Sequence, residues 1–280
     1  MTGVPADADD VVQESFVRAL ATPPKDQTKP WAPWLTRVTI NLAIDRLRRR
    51  RQNTYTGPWL PAPIESDLPD IQFEQNEQVN YAFLRAMEVL PPKQRAILVL
   101  RDVMGYSSEE VAEFLDISPA DARTSLSRAK KKLSTLPFDP FISPTTQQID
   151  AQRSTLAKMM ETLSHGDVEA FTDLLIEDSC CATDGGGQYR AALHEMSGRD
   201  RVAALLFGIA KKNTAPEHIE ERIVNGFPAL FVRFPYSQPR AATRVLVRIE
   251  LARNNPNKIA EIHMISADDK LQRTRWSELV

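Results

Sequence analysis

A multidomain chain is expected, all-α through its first half and α+β in its second. Three observations predict this. Residues 1–136 carry apolar side chains at helical spacing, broken at prolines and glycines. From residue 179 onward the pattern changes to short alternating or β-rich segments with hairpin turns. Between the halves lies PFDPFISPTTQQ, a proline-bearing boundary. Helices followed by a meandering sheet argue for an α+β cone, its curved antiparallel sheet folded around the helices.

The most specific stretch is 90–136. Leu90-Pro91-Pro92 separates two helices, since proline is tolerated in a first turn. Ala96, Ile97, Val99 and Leu100 then form an apolar stripe, and Gly105 ends that helix. Ser107 or Ser108 caps the next, with Glu109, Glu110 and Glu113 toward its positive end. Val111, Ala112, Phe114 and Leu115 are its inner face, and Asp116-Ile117 is the turn. Ser118 caps the last helix, whose inner side is Ala122, Leu126, Ala129 and Leu133. This is the pattern of a helix-turn-helix. The outer side of the last helix carries Arg123, Thr124, Ser127, Arg128, Lys130, Lys131 and Lys132. Its first residues suit base edges in a major groove, and the lysines suit phosphates. The plain alternative is a solvated basic face on a helical hairpin. The tight turn, two caps and basic last helix occurring together favour DNA.

The 280 residues leave room for two or three small domains. A net charge of −2 excludes a generic polyanion binder, so the clusters at 46–51 and 123–132 carry the nucleic-acid signal. The two cysteines, Cys180 and Cys181, are adjacent and lack metal-ligand spacing. Free thiols in a reducing cytoplasm are expected, with no metal and no cofactor. No signal peptide is expected, and no apolar run in the sequence approaches the roughly 20 residues of a spanning helix.

Residues 6–20 read as an amphipathic helix with Val11, Val12, Phe16 and Leu20 inward. Residues 31–51 read as a longer helix, apolar at Trp34, Leu35, Val38, Leu42, Ile44 and Leu47. Arginines at 46 and 48–51 finish it, more than a helix dipole needs, and they suit a phosphate backbone. In the linker 53–75, Tyr55, Trp59, Leu60 and Ile64 are large apolar groups that a free tether would not favour. A helix over 76–89 follows, with Val79, Phe83, Leu84 and Met87 inward. Beyond the second linker, 137–146, helices are expected over 147–165, 167–175 and 198–212. Strands are expected over 179–184, 188–193, 218–225, 229–236, 243–251 and 258–265, with turns at 225–226 and 254–257.

DADDVVQESFVRA at 7–19, PWLTRVTINLAIDRLRRRR at 33–51 and the helix-turn-helix together resemble the sigma-70 factors of the extracytoplasmic-function group. The resemblance implies core RNA polymerase (β′ clamp and β flap) and promoter DNA as partners. It implies that Asp7, Asp9, Asp10, Gln13 and Glu14 dock on the β′ clamp. Trp34, Asn41, Asp45, Arg46 and Arg49 would read the −10 element, and Arg123, Thr124, Ser127, Arg128 and Lys131 the −35 element. In that group a further helix precedes the acidic one, whereas Met1 here stands near the inter-helix turn. Region 2, over 1–52, is therefore expected to be incomplete, with little core of its own. Region 4 spans 76–136.

YTGPWLPAPI at 55–64, Asp184-Gly185-Gly186-Gly187-Gln188, VNGFPAL at 224–230 and Ala267-Asp268-Asp269-Lys270-Leu271 resemble the members with a SnoaL-like (nuclear transport factor 2-like) extension, here 147–280. Gln188 stands where that group usually has lysine. The resemblance implies regulation in cis without a separate anti-sigma protein. The expected interface joins Tyr55, Trp59, Leu60 and Pro61 to Asp184, Gly185, Gly186 and Gly187, beside a cone that could take a small apolar ligand. Some SnoaL-like folds are cyclases or isomerases using Asp/His pairs. Nothing in the sequence brings two of Asp184, His194, His218 and His263 together, so no catalytic residue is expected. The alternatives are a SnoaL-like enzyme anchored to DNA, and a helix-turn-helix regulator that does not bind polymerase.

Overall fold

A computed structural model describes residues 1–52, 57–65, 81–136, 145–212, 215–236, 239–272 and 274, the side chains of 50–52, 81 and 82 excepted. The chain packs as two compact units, Met1–Thr54 with Leu84–Leu136, and Tyr55–Phe83 with Pro137–Val280.

The first unit is helical: α1 (Pro5–Ala21), α2 (Ala32–Gln52), α3 (Tyr81–Glu88, of which Leu84 onward belongs here), α4 (Pro92–Leu98), α5 (Ser108–Leu115) and α6 (Pro119–Leu133). A π-helical turn, Val99–Val103, prolongs α4 before Gly105. Ser107, not Ser108, caps α5 in a reciprocal box with Glu110. Asp116 turns the chain at φ 53°, and the Ser118 hydroxyl accepts from the Asp121 amide at 3.0 Å. Ile40 and Ile44 of α2 share one core with Ala96, Ile97, Leu100, Val111, Phe114 and Ala122. Helix α2 thus shares its core with the helix-turn-helix. The buried face of α1 is Val11, Ser15 and Ala19, while Val12, Phe16 and Leu20 are exposed, contrary to the periodicity reading. Ser15 and Ala19 are small enough for close approach of α2, and the Thr39 hydroxyl donates to the Ser15 oxygen at 2.9 Å.

The second unit contains α7 (Thr146–His165), α8 (Val168–Asp173), β1 (Leu175–Asp184), β2 (Met196–Ser197), α9 (Arg199–Lys212), β3 (His218–Val224), β4 (Phe227–Arg233), β5 (Arg244–Ala252), β6 (Asn255–Ile265) and α10 (Asp268–Leu271). The sheet order among described residues is β2-β1-β6-β5-β4-β3. It is mixed, not purely antiparallel, because β1 and β6 run parallel. Helix α9 carries the chain from the β2 edge across to the β3 edge, so the four-strand meander returns beside β1 in the same direction. Residues 188–193 form turns rather than a strand. The β5–β6 turn is 253–254, with Asn255 already paired to Ala252.

Side chains alternate between the two faces of the sheet. Leu230, Val232, Val245, Val247 and Ile262 pack on Leu156, Phe171, Val202 and Phe207 of the helices. Ala229, Phe231, Leu246 and Ile265 face the other way and pack with Leu60 and Leu271. Cys181 lies in the helix-facing core, where burial pushes its thiol up to about 12. Stability from this group is complete below its ordinary value near 9 and is lost as pH rises from there toward 12, by about 1.4 kcal/mol per unit. Native protein at pH 8 is expected to leave Cys181 unlabelled by maleimide until it unfolds, as mass spectrometry of the labelled peptide would record.

Candidate functional site: a basic helix, an acidic helix and a held linker

On α6, Arg123, Thr124, Ser127, Arg128 and Lys131 are all exposed, as a DNA-reading face requires. The small Ala122 and Ala129 and the larger Leu133 bury its opposite side. Arg123 donates to Glu109 at 3.2 Å and Lys130 pairs with Asp102 at 2.9 Å. Both pairs are solvated and therefore weak.

On α1, Asp9, Asp10, Gln13 and Glu14 are exposed and Asp7 is half-buried. The structure joins two sets of residues that the sequence kept apart. Arg46 of α2 donates to Asp7 at 2.6 and 2.9 Å and to Asp10 at 2.8 Å. Those bonds, led by Asp7, hold its guanidinium above its ordinary range. Asp10, Gln13 and Glu14 line one groove of about 400 Å³ with Asp45, Arg46 and Arg49. Asn41 is exposed and Trp34 half-buried, its ring edge-on to Trp31 at 6.4 Å.

In the second unit the linker is held residue by residue. Tyr55 lies outside the described residues; Leu60, Pro61, Ala62 and Pro63 are buried. The Leu60 amide donates to Asp184 Oδ2 at 2.8 Å, and Lys270 Nζ donates to the Leu60 carbonyl at 2.6 Å. Lys270 also pairs directly with Asp184, both side chains being fully buried, and lies 4.2 Å from the Trp59 ring centroid. One carboxylate and one ammonium thus satisfy the linker backbone and each other. Further along, Ile64 exchanges two backbone-polar bonds with Asn225: its carbonyl accepts at 2.8 Å and its amide donates to Oδ1 at 3.1 Å. Glu65 bridges to Val224 and pairs with Arg222 at 2.8 Å. The hydrogen bonds to Glu220 and to Glu65 raise Arg222, and the bond from Arg222 lowers Glu220, from their ordinary values.

The glycine turn serves this clamp. The Gly186 amide donates to Asp184 Oδ1 at 3.1 Å from a backbone at φ 60°. A Cβ on Gly185 would lie 2.6 Å from the Tyr189 carbonyl oxygen. Gly185 thus leaves the Tyr189 backbone the room that a side chain would take. The turn closes on α10 through Tyr189, whose hydroxyl donates to Asp268 at 2.8 Å, and through Gln188, which accepts from the Asp268 amide at 3.3 Å. Lys270, Asn225, Arg222 and Glu65 were not singled out by sequence reasoning. Lys270 and Asn225 fall inside quoted motifs and could have been; nothing local marks the Glu65–Arg222 pair.

Of the ionisable groups considered for catalysis, Asp184 and His263 lie on the adjacent strands β1 and β6, two register positions apart. His194 is exposed, His218 lies 3.7 Å from Glu220, and buried His263 pairs with Glu261 at 2.9 Å. Asp184 is engaged by Leu60 and Lys270. Among the described residues no His/Cys/Asp/Glu group could hold a metal ion, and no helix is long and apolar enough to cross a membrane.

Comparison with known proteins gives the family. The Sigma-70 region 2 family model matches residues 1–53, and the Sigma-70, region 4 model matches 81–133. The ECF RNA polymerase sigma factor SigJ of Mycobacterium tuberculosis is 33% identical over 218 residues, 76% of this chain and 68% of that protein. SigE of Mycolicibacterium smegmatis is 30% identical over 136 residues, 48% of this chain and 52% of that protein. The crystal structure of Mycobacterium tuberculosis SigJ superposes with TM-score 0.72 at 27% identity, covering 97% of this chain and 91% of that one. With its two sigma regions matched and a relative of this identity and coverage, the chain belongs to the ECF RNA polymerase sigma factors.

Proposed function

We propose that this chain directs core RNA polymerase to promoters from the cytoplasm, and that its C-terminal unit governs that activity in cis through the linker. In this reading α6 meets the −35 element and α2 the −10 element. Helix α1 docks on the β′ clamp with Asp9, Gln13 and Glu14, and region 4 seats on the β flap. No separate anti-sigma protein is needed, and Asp184 is a structural clamp, not a catalytic carboxylate.

One observation carries the regulatory part. Residues 59–65 join α2 to α3 in sequence, yet their backbone bonds go to Asp184, Lys270 and Asn225 of the C-terminal unit. Loosening that hold lengthens the free tether between the two DNA-reading segments. A few kcal/mol is enough to shift such populations strongly.

Asp7 and Asp10 are drawn toward α2 by Arg46, whereas Glu14 pairs only within α1, with Arg18 at 2.9 Å, so docking is tested at the exposed Asp9 and Glu14. An Asp9→Lys/Glu14→Lys variant is expected to lose roughly tenfold or more in affinity for core polymerase. Its transcription in vitro should fall with it, at an unchanged unfolding midpoint. Undiminished affinity would reject docking through Asp9 and Glu14, and no measurable affinity of the unaltered chain would return the reading to a regulator that does not touch polymerase. Trp59→Ala in the full chain is expected to change promoter output, and identical output would reject cis regulation while leaving the sigma activity intact.

A further inference from the structure

Behind the glycine turn lies a cavity of about 370 Å³. Leu205, Ile209, Ala242, Val245 and Met264 give it an apolar floor. Its remaining wall includes three cations, Arg190, Lys212 and Arg240, and two hydroxyl residues, Thr183 and Ser266; none of the described residues lining it is acidic. A second cavity of about 480 Å³ shares Ile209, Val245 and Met264 and runs on beneath Met159, Leu163 and Phe234 without a charged side chain.

The cationic rim is built into the backbone. Arg240 adopts φ 63°, a conformation that a non-glycine residue takes only when its surroundings enforce it. Its guanidinium donates to the carbonyls of Gly187 at 3.3 Å and Gln188 at 3.4 Å, and its own carbonyl accepts from the Arg190 amide at 2.9 Å. The segments bearing Arg190 and Arg240 are therefore tied together and tied to the glycine turn. Three like charges around an apolar floor suit neither a neutral nor a cationic guest; low-dielectric walls lined with one sign concentrate the opposite ion.

We infer that this cavity binds a small amphipathic organic anion, its carboxylate at Arg190, Lys212 and Arg240 and its apolar body against Ile209, Val245 and Met264, reaching toward the second cavity. The site shares its wall with the linker clamp. Thr183 and Ser266 flank it directly: the Ser266 amide donates to the Asp184 carbonyl at 2.8 Å, and Thr183 Oγ1 accepts from the Ala192 amide at 2.7 Å. Binding itself does not depend on whether the C-terminal unit regulates transcription.

The test is calorimetric titration of the full chain with octanoate, octanamide and octylammonium. Octanoate is expected to saturate one site and to bind at least roughly tenfold more tightly than octanamide, with octylammonium weakest. A Lys212→Gln/Arg240→Gln variant, both positions being exposed, is expected to lose most of the octanoate preference and keep octanamide affinity. Raising the salt concentration should weaken octanoate alone. Equal binding of octanoate and octanamide, indifference of octanoate to the double substitution, or absence of saturable octanoate binding each overturns the inference.

Discussion

Lys270→Met is expected to destabilise the C-terminal unit by about 3–5 kcal/mol, the cost of leaving one partner of a buried ion pair uncompensated. The ammonium group meets the Asp184 carboxylate, the Leu60 carbonyl and the Trp59 ring. Its loss strands a buried carboxylate with two backbone amides, those of Leu60 and Gly186. It also leaves the Leu60 carbonyl, in a fully buried residue, without that donor. The Asp184→Leu/Lys270→Met pair should cost clearly less than the sum of its single substitutions, because it removes both charges together. Urea denaturation of the four proteins in this cycle measures the coupling, and proteolysis within 55–65 reports whether the linker has come loose. A single-variant loss below about 1 kcal/mol would mean that the pair is solvated and that Leu60 is held by apolar packing alone.

Arg123→Ala and Arg128→Ala are expected to lower promoter affinity by about 1–3 kcal/mol each, and to relax sequence preference if they reach base edges. Both side chains are exposed, so the unfolding midpoint should not move. The two are not equivalent. Arg123 must leave Glu109 before it can contact DNA, at the small cost of a solvated pair. Glu109→Ala is therefore expected to raise promoter affinity slightly, whereas no such gain is expected from neutralising acidic groups remote from α6. Lys131→Ala should weaken all sequences alike and reduce the salt dependence of binding by about one ion. Fluorescence anisotropy against specific and scrambled duplexes at several salt concentrations separates these outcomes.

Local signals carried a large part of the molecule. The capping residues Ser107 and Ser118, the turn at Asp116 and the Asn225-Gly226 hairpin all act through neighbours a few residues away. Such features need no knowledge of the rest of the chain. The apolar spacing of 146–165 and 199–212 likewise marks α7 and α9, because a helix must bury one stripe. Periodicity failed on α1, where Val12, Phe16 and Leu20 outrank Ser15 and Ala19 in hydrophobicity but not in fit against α2. It failed again at 188–193, where backbone already committed to the glycine turn could not join the sheet.

The amino-acid order alone thus determined the helix-turn-helix, the basic face of α6 and the presence of a linker too apolar to hang free, since each is a short-range consequence of side-chain chemistry. Folding in three dimensions decided the parallel pairing of β1 with β6, the capture of Asp7 and Asp10 by Arg46, and the partner of Leu60. Asp184 and Lys270 stand 86 positions apart and meet the linker from opposite ends of the sheet-forming half. Pairings of that reach are selected by which buried charges can satisfy one another once the core has closed, and no local pattern encodes them.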